Sequence, residues 1–348
     1  MILHSVCMLI NHPAAVSSER RRPSLFMANS APVYLFLILV WGLIPLALAR
    51  TGLRIEVDEF GMVGCVFTFA LWLAWCLRGR GLARVATVLE AWTLFYTICF
   101  TVSLMTFVAA TSQRAFFDGP LAYADRILLP GFDWPGTMLS FSRSGLPVRI
   151  ANWVYESIKW QPQLLILALA LMSNHRRVWH FLLSWITTLC IVVGVFALYP
   201  VLGAYDYFGI AAGNVPAMLD PTPWNQPVLL DGLRNGTLRL ISLGTLAGIV
   251  NFPSFHAGAA VLLAYGFWSI RAMRWIFVTL NTLMLASAVP IGGHYIVDLL
   301  AGVIAAAAGI AVAGWITDRV EPVLDWLRPF TWRPVNRHKG HVKRPLSA

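Results

Sequence analysis

The apolar stretch HYIVDLLAGVIAAAAGIAVAGWI (residues 294–316) decides the fold class. Its length fits the roughly 20 apolar residues that an α-helix needs to cross a bilayer. Its ionisable side chains, those of His294, Tyr295 and Asp298, all lie at its beginning. We therefore predict a membrane-spanning helix with a cluster of titratable groups at one end.

The composition extends this prediction to the whole chain. Of the 348 residues, 58% are hydrophobic and only 12% are charged, whereas soluble domains carry about 25% charged residues. We predict an all-α, polytopic membrane bundle of about eight transmembrane helices. The predicted spans are 32–49, 60–77, 85–108, 161–172, 179–198, 254–270, 275–289 and 294–316.

Positive charge predicts the orientation of the bundle. The net charge is +10, and the basic residues concentrate in the tails and in alternate short turns, such as RGRGLAR (78–84), NHRR (174–177) and RAMR (271–274). Cytoplasmic loops are enriched in Lys and Arg, so both termini should face the cytoplasm of a cell (inner) membrane. This distribution does not indicate a nucleic-acid groove, although the tails could bind anionic lipid headgroups.

The chain divides into four predicted parts. Residues 1–31 form a disordered cytosolic tail, and 32–198 form the N-terminal transmembrane helices. The outer loop at 109–160 should fold into short amphipathic helices in the membrane interface, either as a lid or as a structural collar. Residues 199–316 form the catalytic core, and 317–348 form a basic cytosolic tail.

Two histidines stand apart from the other six. His256, in NFPSFHAGAA (251–260), and His294 both lie at the outer ends of apolar helices, whereas the others lie in tails or on a cytosolic turn. Two helices of similar length separate them, so both rings should lie at the same depth. A single histidine at a helix end is more often an interfacial residue, but a pair with a nearby acid favours a functional site.

Asp298 follows His294 at the spacing i, i+4, which brings two side chains to one helix face. Its carboxylate can accept the imidazole N–H and fix the tautomer. The other ring nitrogen then keeps its lone pair free, which predicts a nucleophilic histidine.

The flanking residues suit a phosphate group. Ser254 occupies an N-cap position, and Gly292 and Gly293 could let backbone N–H groups approach a ligand at the start of the last helix. Arg234 and Arg239 precede His256 on the same outer face. Either arginine could neutralise phosphate charge or simply pair with a neighbouring acid or an anionic headgroup.

The segments FPSFHAG (252–258) and HYIVD (294–298) resemble the second and third motifs of the type 2 phosphatidic acid phosphatase superfamily. More narrowly they resemble its inositolphosphotransferase branch, which includes inositol phosphorylceramide synthases and bacterial relatives. DRILLPGFDW (125–134) is also similar to bacterial members.

The resemblance implies a phosphatidic-acid-phosphatase-type helix bundle and a set of residue roles. His294 would attack phosphorus and form a phosphohistidine, and Asp298 would orient it. His256 would protonate the leaving alkoxide. Ser254 and the backbone near Gly293 would cradle the phosphoryl oxygens.

Three departures from the family pattern bear on the substrate. Phe255 stands where phosphatase members have glycine, and Ala288 stands where they have arginine. The Lys-x6-Arg-Pro first motif is missing, with RNGTLR (234–239) as an approximate substitute. Fewer cations suit a phosphodiester better than a phosphomonoester, which favours transferase chemistry.

We therefore predict an integral-membrane lipid phosphotransferase that moves a phosphoryl or phospho-headgroup (inositolphosphate-like) between lipids. The alternative is a lipid phosphate phosphatase of phosphatidic acid or polyprenyl pyrophosphate type, with water as acceptor. A transporter with a His–Asp proton relay would be expected to show repeats and broken helices, which the sequence lacks. The expected partners are the membrane and a phospholipid or lipid phosphate, without nucleic acid. No cofactor or metal is expected, because no carboxylate cluster could hold one.

Overall fold

The structure is a computed structural model that describes residues 30–215, 217 and 220–327, with side chains described up to Arg319. The described residues form an all-α bundle with one very short pair of strands. The helices are α1 (Ala31–Thr51), α2 (Val57–Gly79), α3 (Ala83–Ala110), α4 (Asp118–Leu128), α5 (Trp134–Ser142), α6 (Leu146–Glu156), α7 (Gln161–Leu171), α8 (His175–Leu198), α9 (Ala204–Tyr207), α10 (Thr222–Asn235), α11 (Phe255–Trp268), α12 (Arg274–Gly292) and α13 (Ile296–Leu327). Strands β1 (Arg54–Ile55) and β2 (Leu240–Ile241) pair in parallel.

All eight predicted spans are helical, but they differ in length. Within the described residues, six helices are long and apolar enough to cross a membrane, namely α1, α2, α3, α8, α12 and the Ile296–Arg319 part of α13. The last helix continues beyond the predicted boundary at 316 as far as Leu327. The predicted N-terminal tail up to residue 29 and the C-terminal tail from 328 lie outside the described residues.

The other two predicted spans, α7 and α11, are short. The 14 residues of α11 extend only about 21 Å at 1.5 Å per residue, less than a bilayer core. Neighbouring helices α8, α12 and α13 surround α11, and Leu262, Leu263 and Phe267 are buried among them. Because α11 is enclosed by protein, it does not need the full length of a lipid-facing span.

Helices α4, α5 and α6 fill the predicted outer loop and lie over one end of the bundle. They bury apolar side chains such as Leu121, Trp134 and Val148, but part of their surface shows the reverse of a soluble helix. Asp118 and Asp125 on α4 are buried, while Tyr123 on the same helix and Trp153 on α6 are exposed. Exposed apolar side chains around a polar inner face are expected where a helix lies along the lipid boundary.

The strand pair ties the second outer loop to the first helices. Arg54 pairs with Leu240, and the Arg54 N–H donates to the Arg239 carbonyl at 2.7 Å. The end of α1 and the segment before α11 are therefore joined at the same end of the bundle. The helix ends carrying His256 and His294 lie at this end too, because the chain crosses the bundle alternately.

Candidate active site

His294 lies in the short turn between α12 and α13 and is held by the carboxylate of Asp298. The His294 side chain is almost completely buried, at 3% exposure, and Asp298 is fully buried. The two groups are 3.3 Å apart, from His294 Nδ1 to Asp298 Oδ2. This contact matches the predicted i, i+4 pair. The second ring nitrogen, Nε2, makes no hydrogen bond within the described part of the chain, so it can face a substrate.

Asp298 also caps the N-terminus of α13, the helix on which it lies. Its Oδ2 accepts the backbone N–H of Tyr295 at 2.9 Å, which is the reciprocal half of a capping box. A single carboxylate oxygen thus binds the helix N-terminus and the imidazole together. The position of the imidazole is therefore set by the start of α13.

Asp125 of α4 occupies the N-terminus of α13. Its two oxygens accept the N–H groups of Ile296 at 2.8 Å and of Val297 at 2.9 Å. These two N–H groups are therefore not available to a phosphate, whereas the predicted contact through the backbone near Gly293 stays a prediction. Burial raises the pKa of the Asp125 carboxyl, while the two N–H groups oppose this shift.

Two further side chains fix the turn that carries His294. The indole Nε1 of Trp134 donates to the His294 carbonyl at 3.3 Å. Asp118 Oδ1 accepts the Gly203 N–H at 2.9 Å and the Tyr295 hydroxyl at 3.2 Å. Helices α4 and α5 thus clamp the turn from outside the bundle, which favours the structural role of the outer loop over that of a mobile lid.

Replacement of Asp125 by alanine should destabilise the protein. Two buried N–H groups would lose their partner, at a cost of about 1–3 kcal/mol for each unsatisfied group. Thermal unfolding of the detergent-solubilised protein should show a lowered Tm, and turnover should fall because the His294 turn loosens. Asp133→Ala is the control, because Asp133 caps the exposed start of α5 through the Gly136 N–H. Equal Tm values for the two variants would contradict the proposed clamp.

Ser254 begins α11 as predicted and connects it to α13. Its Oγ accepts the Ala257 N–H at 3.4 Å, and its own N–H donates to the Asp298 carbonyl at 3.1 Å. Gly302 allows this approach, because a Cβ there would collide with the Ser254 carbonyl. A small residue at this crossing lets the two helix backbones touch. The N-cap serine is therefore positioned beside the His–Asp pair.

His256 is brought to the same site through Tyr155 of α6. The two rings are stacked, with centroids 3.9 Å apart and planes inclined by 14°. A Cβ built on Gly292 would lie 2.7 Å from Tyr155 Oη and 3.2 Å from His294 Nε2. Tyr155 thus contacts His256 through its ring and lies near His294 through its hydroxyl.

The backbone conformation and the packing at position 293 both favour glycine. Its φ of 67° is left-handed, which ends α12, and its carbonyl accepts the Ala204 N–H at 2.9 Å. A Cβ there would press into the Tyr205 ring. Backbone geometry and packing thus account for this glycine without a ligand.

The predicted phosphate-binding arginines have other partners. Arg234 lies over the Phe116 ring, 3.8 Å from its centroid, and donates to the Arg114 carbonyl at 2.8 Å. Arg239 donates to the Thr51 carbonyl at 2.6 Å, at the end of α1. Among the described residues, neither guanidinium contacts His256, His294 or Asp298. These partners are backbone carbonyls and an aromatic ring, not the neighbouring acid of the alternative prediction.

Two of the three departures from the family motifs, Phe255 and Ala288, are accommodated by packing. Phe255 makes an edge contact with Trp185 of α8, with centroids 5.1 Å apart. Ala288 is fully buried in the apolar cluster that also contains Tyr155 and Tyr295. A long cationic side chain at position 288 would have to displace this cluster.

Several residues of the site were not recognised from the sequence. Asp125 and Trp134 are the first and last residues of DRILLPGFDW, so the similarity of that segment marked the region without revealing their roles. Tyr155 and Asp118 carried no comparable signal. Their importance depends on long-range contacts that spacing along the chain cannot show.

Comparison with known proteins identifies the family. A family model described as the PAP2 superfamily matches residues 121–312, more than half of the chain. This range contains most of α4, all of α5–α12, the first half of α13 and both histidine motifs. No curated protein and no solved structure gives a significant match. The chain is a membrane-embedded helical bundle that belongs to the PAP2 superfamily of phosphatases and phosphotransferases.

Proposed function

We propose that this chain is a lipid phosphotransferase that moves a phosphoryl or phospho-headgroup between lipids through a phosphohistidine on His294. One observation carries the proposal. Asp298 holds Nδ1 of a buried imidazole, and Nε2 has no hydrogen-bond partner among the described residues; Tyr155, which stacks on His256, brings its hydroxyl close to this nitrogen. A histidine with a fixed tautomer and an unbonded second nitrogen is suited to nucleophilic attack.

In the first half-reaction, His294 Nε2 forms a bond to phosphorus of the donor lipid. The bond from phosphorus to the leaving alkoxide oxygen breaks. His256 gives its proton to that oxygen, so the leaving group departs as an alcohol. The carboxylate of Asp298 stabilises the positive charge that develops on the His294 ring.

In the second half-reaction, an acceptor hydroxyl attacks the phosphohistidine. His256, now neutral, takes the proton of that hydroxyl while the new P–O bond forms. The N–P bond breaks and returns His294 to its starting state. The acceptor decides the outcome, because a lipid or polyol hydroxyl gives transfer and water gives hydrolysis.

The charge around the site favours transfer of a diester group. In the described part of the chain, neither lysine nor arginine forms an ion pair or hydrogen bond with His256, His294 or Asp298. Lys159, whose charge acts on His256, is exposed and pairs with Glu156. A phosphodiester bears one negative charge where a phosphomonoester bears up to two, so it requires less compensation. The inositolphosphate-like nature of the headgroup rests on the motif resemblance alone.

We further propose that the site faces the extracytoplasmic side of the membrane. Several arginines lie in turns or at the helix ends beside them, at the opposite end of the bundle from His294, namely Arg78, Arg84, Arg176, Arg177 and Arg271. The positive-inside rule assigns that arginine-rich end to the cytoplasm.

The product of the purified protein tests the proposed function. Vesicles would carry a phospholipid with a labelled phosphate, with and without an added polyol or a sphingoid-based alcohol. A new labelled phosphodiester lipid that depends on the acceptor is expected. Free labelled phosphate as the sole product, with or without acceptor, would contradict the transferase proposal and support a lipid phosphatase. Absence of turnover of any lipid phosphate would contradict both.

His256→Gln should slow donors with poor leaving groups more than donors with good ones. Glutamine cannot protonate the departing alkoxide, whereas a nitrophenolate leaves without a proton. We expect a loss of about 10²–10⁴-fold for an alkyl donor and a much smaller loss for a nitrophenyl phosphodiester. His175→Gln, at the opposite end of the bundle, is the control. Equal slowing of both donors would exclude general-acid catalysis by His256.

A further inference from the structure

We infer that Tyr155 is a catalytic residue whose hydroxyl donates a hydrogen bond to a non-bridging oxygen of the transferred phosphoryl group. This inference rests on the proposed function, because it assigns a role at the same site. The Tyr155 hydroxyl would be a neutral hydrogen-bond donor at a site that the guanidinium groups of Arg234 and Arg239 do not contact. The family motifs seen in the sequence do not include this residue.

The ring of Tyr155 has no freedom to turn away from the two histidines. Its side chain is nearly buried, at 4% exposure, within the apolar cluster below α4–α6. One face of the ring covers the imidazole of His256, and the hydroxyl points to the edge of His294. Helix α6 packs along α12, so the backbone supports this placement.

The hydroxyl of Tyr155 differs from those of its neighbours in having no hydrogen-bond partner among the described residues. Tyr205 donates to the Pro290 carbonyl at 2.5 Å, and Tyr295 donates to Asp118 at 3.2 Å. No group of the described residues satisfies this hydroxyl, so a ligand oxygen can take its hydrogen bond. The unbonded Nε2 of His294 lies beside it.

Gly292 lets Tyr155 and His294 approach the same point. A Cβ at this position would lie 2.7 Å from Tyr155 Oη and 3.2 Å from His294 Nε2, too close for a side chain to fit, so the two polar atoms are near each other. A phosphorus atom bonded to His294 Nε2 would place one of its oxygens near the Tyr155 hydroxyl. Attack and hydrogen bonding can therefore occur at one centre.

The chemistry of the phenol fits a substrate with a single negative charge. Burial raises the pKa of the Tyr155 hydroxyl, so it stays protonated and can donate. It supplies no positive charge. A donor of this kind gains strength as charge develops on the phosphoryl oxygens in the transition state, which lowers the barrier rather than the ground-state energy.

Tyr155→Phe removes the hydroxyl and keeps the ring stacked on His256, so it tests the inference directly. We expect kcat to fall by about 10²-fold, the loss typical for one transition-state donor, with KM changed by less than about twofold. Inhibition by metavanadate, which mimics five-coordinate phosphorus, should weaken in parallel, and Tm should stay at the wild-type value. The control is Tyr123→Phe, because Tyr123 is 64% exposed on α4.

The possible outcomes separate this inference from the proposed function. Wild-type protein without lipid phosphotransfer or hydrolysis would refute the function itself. Active wild-type protein with a Tyr155→Phe variant that matches Tyr123→Phe would refute only the role of the hydroxyl. A raised KM with unchanged kcat would also overturn it, because that pattern indicates uniform substrate binding. Tyr155→Leu, which also loses the ring stacked on His256, should be slower than Tyr155→Phe.

Discussion

Replacement of His294 by alanine is expected to lower turnover by about 10⁴–10⁶-fold, to a level close to background. The reaction would lose its only route to a covalent intermediate, because the nitrogen that attacks phosphorus is removed. The measurement is transfer of label from a phospholipid donor to an acceptor lipid, with purified protein in vesicles. Trapped phosphoenzyme should disappear together with the product.

The fold of this variant should survive, because the backbone of the turn is held independently of the imidazole. Trp134 binds the His294 carbonyl, and Asp125 binds the two N–H groups that follow Tyr295. A Tm close to that of wild type would therefore accompany the lost activity. His175→Gln serves as the active comparison. A correctly folded His294→Ala protein with substantial lipid turnover would refute the nucleophile assignment.

Asp298→Asn should lower kcat by about 10²–10⁴-fold, the second largest effect. The amide oxygen can still accept from the Tyr295 N–H and from His294 Nδ1, so the helix start and the ring position should be kept. The negative charge is lost, however, and it no longer stabilises the imidazolium that forms during attack. The amide also permits the wrong tautomer of the ring.

The controls for this variant separate charge from structure. Asp298→Asn should keep the wild-type Tm in detergent, whereas Asp298→Ala should lose both the cap and the rate. The expected loss lies in kcat with little change in KM, because the interaction grows in the transition state. An asparagine variant with wild-type kcat would show that the carboxylate serves only as a helix cap.

Local sequence signals predicted the parts of this site that depend on short spacing. The i, i+4 relation of His294 and Asp298 and the N-cap position of Ser254 follow from helix geometry. The common depth of His256 and His294 was predicted from two intervening helices of similar length, and it stays a prediction because α11 has 14 residues and α12 has 19. Apolar runs predicted all eight spans as helices, although α7 and α11 proved too short to cross a bilayer alone.

Long-range contacts account for what the sequence did not predict. The helix N-terminus suggested a phosphate site, but Asp125, far away in the chain, fills it. Arg239 lies close to the motifs in sequence, yet its guanidinium donates to the Thr51 carbonyl at the end of α1. Tyr155 could be recognised only after α6 was seen packed against α12. Such partners depend on tertiary structure, which periodicity and spacing do not encode.

The covalent intermediate provides the most direct test of the central claim, that one imidazole of a buried pair carries the transferred group. Wild-type protein would be mixed with a phospholipid donor and quenched within milliseconds in alkaline denaturant, because phosphohistidine is labile in acid. Mass spectrometry would then locate the adduct. We predict an adduct on the peptide containing His294, absent from His294→Ala, whose mass reports whether a bare phosphoryl or a headgroup phosphate is bound. An adduct on another residue, or full turnover without any adduct, would contradict the account.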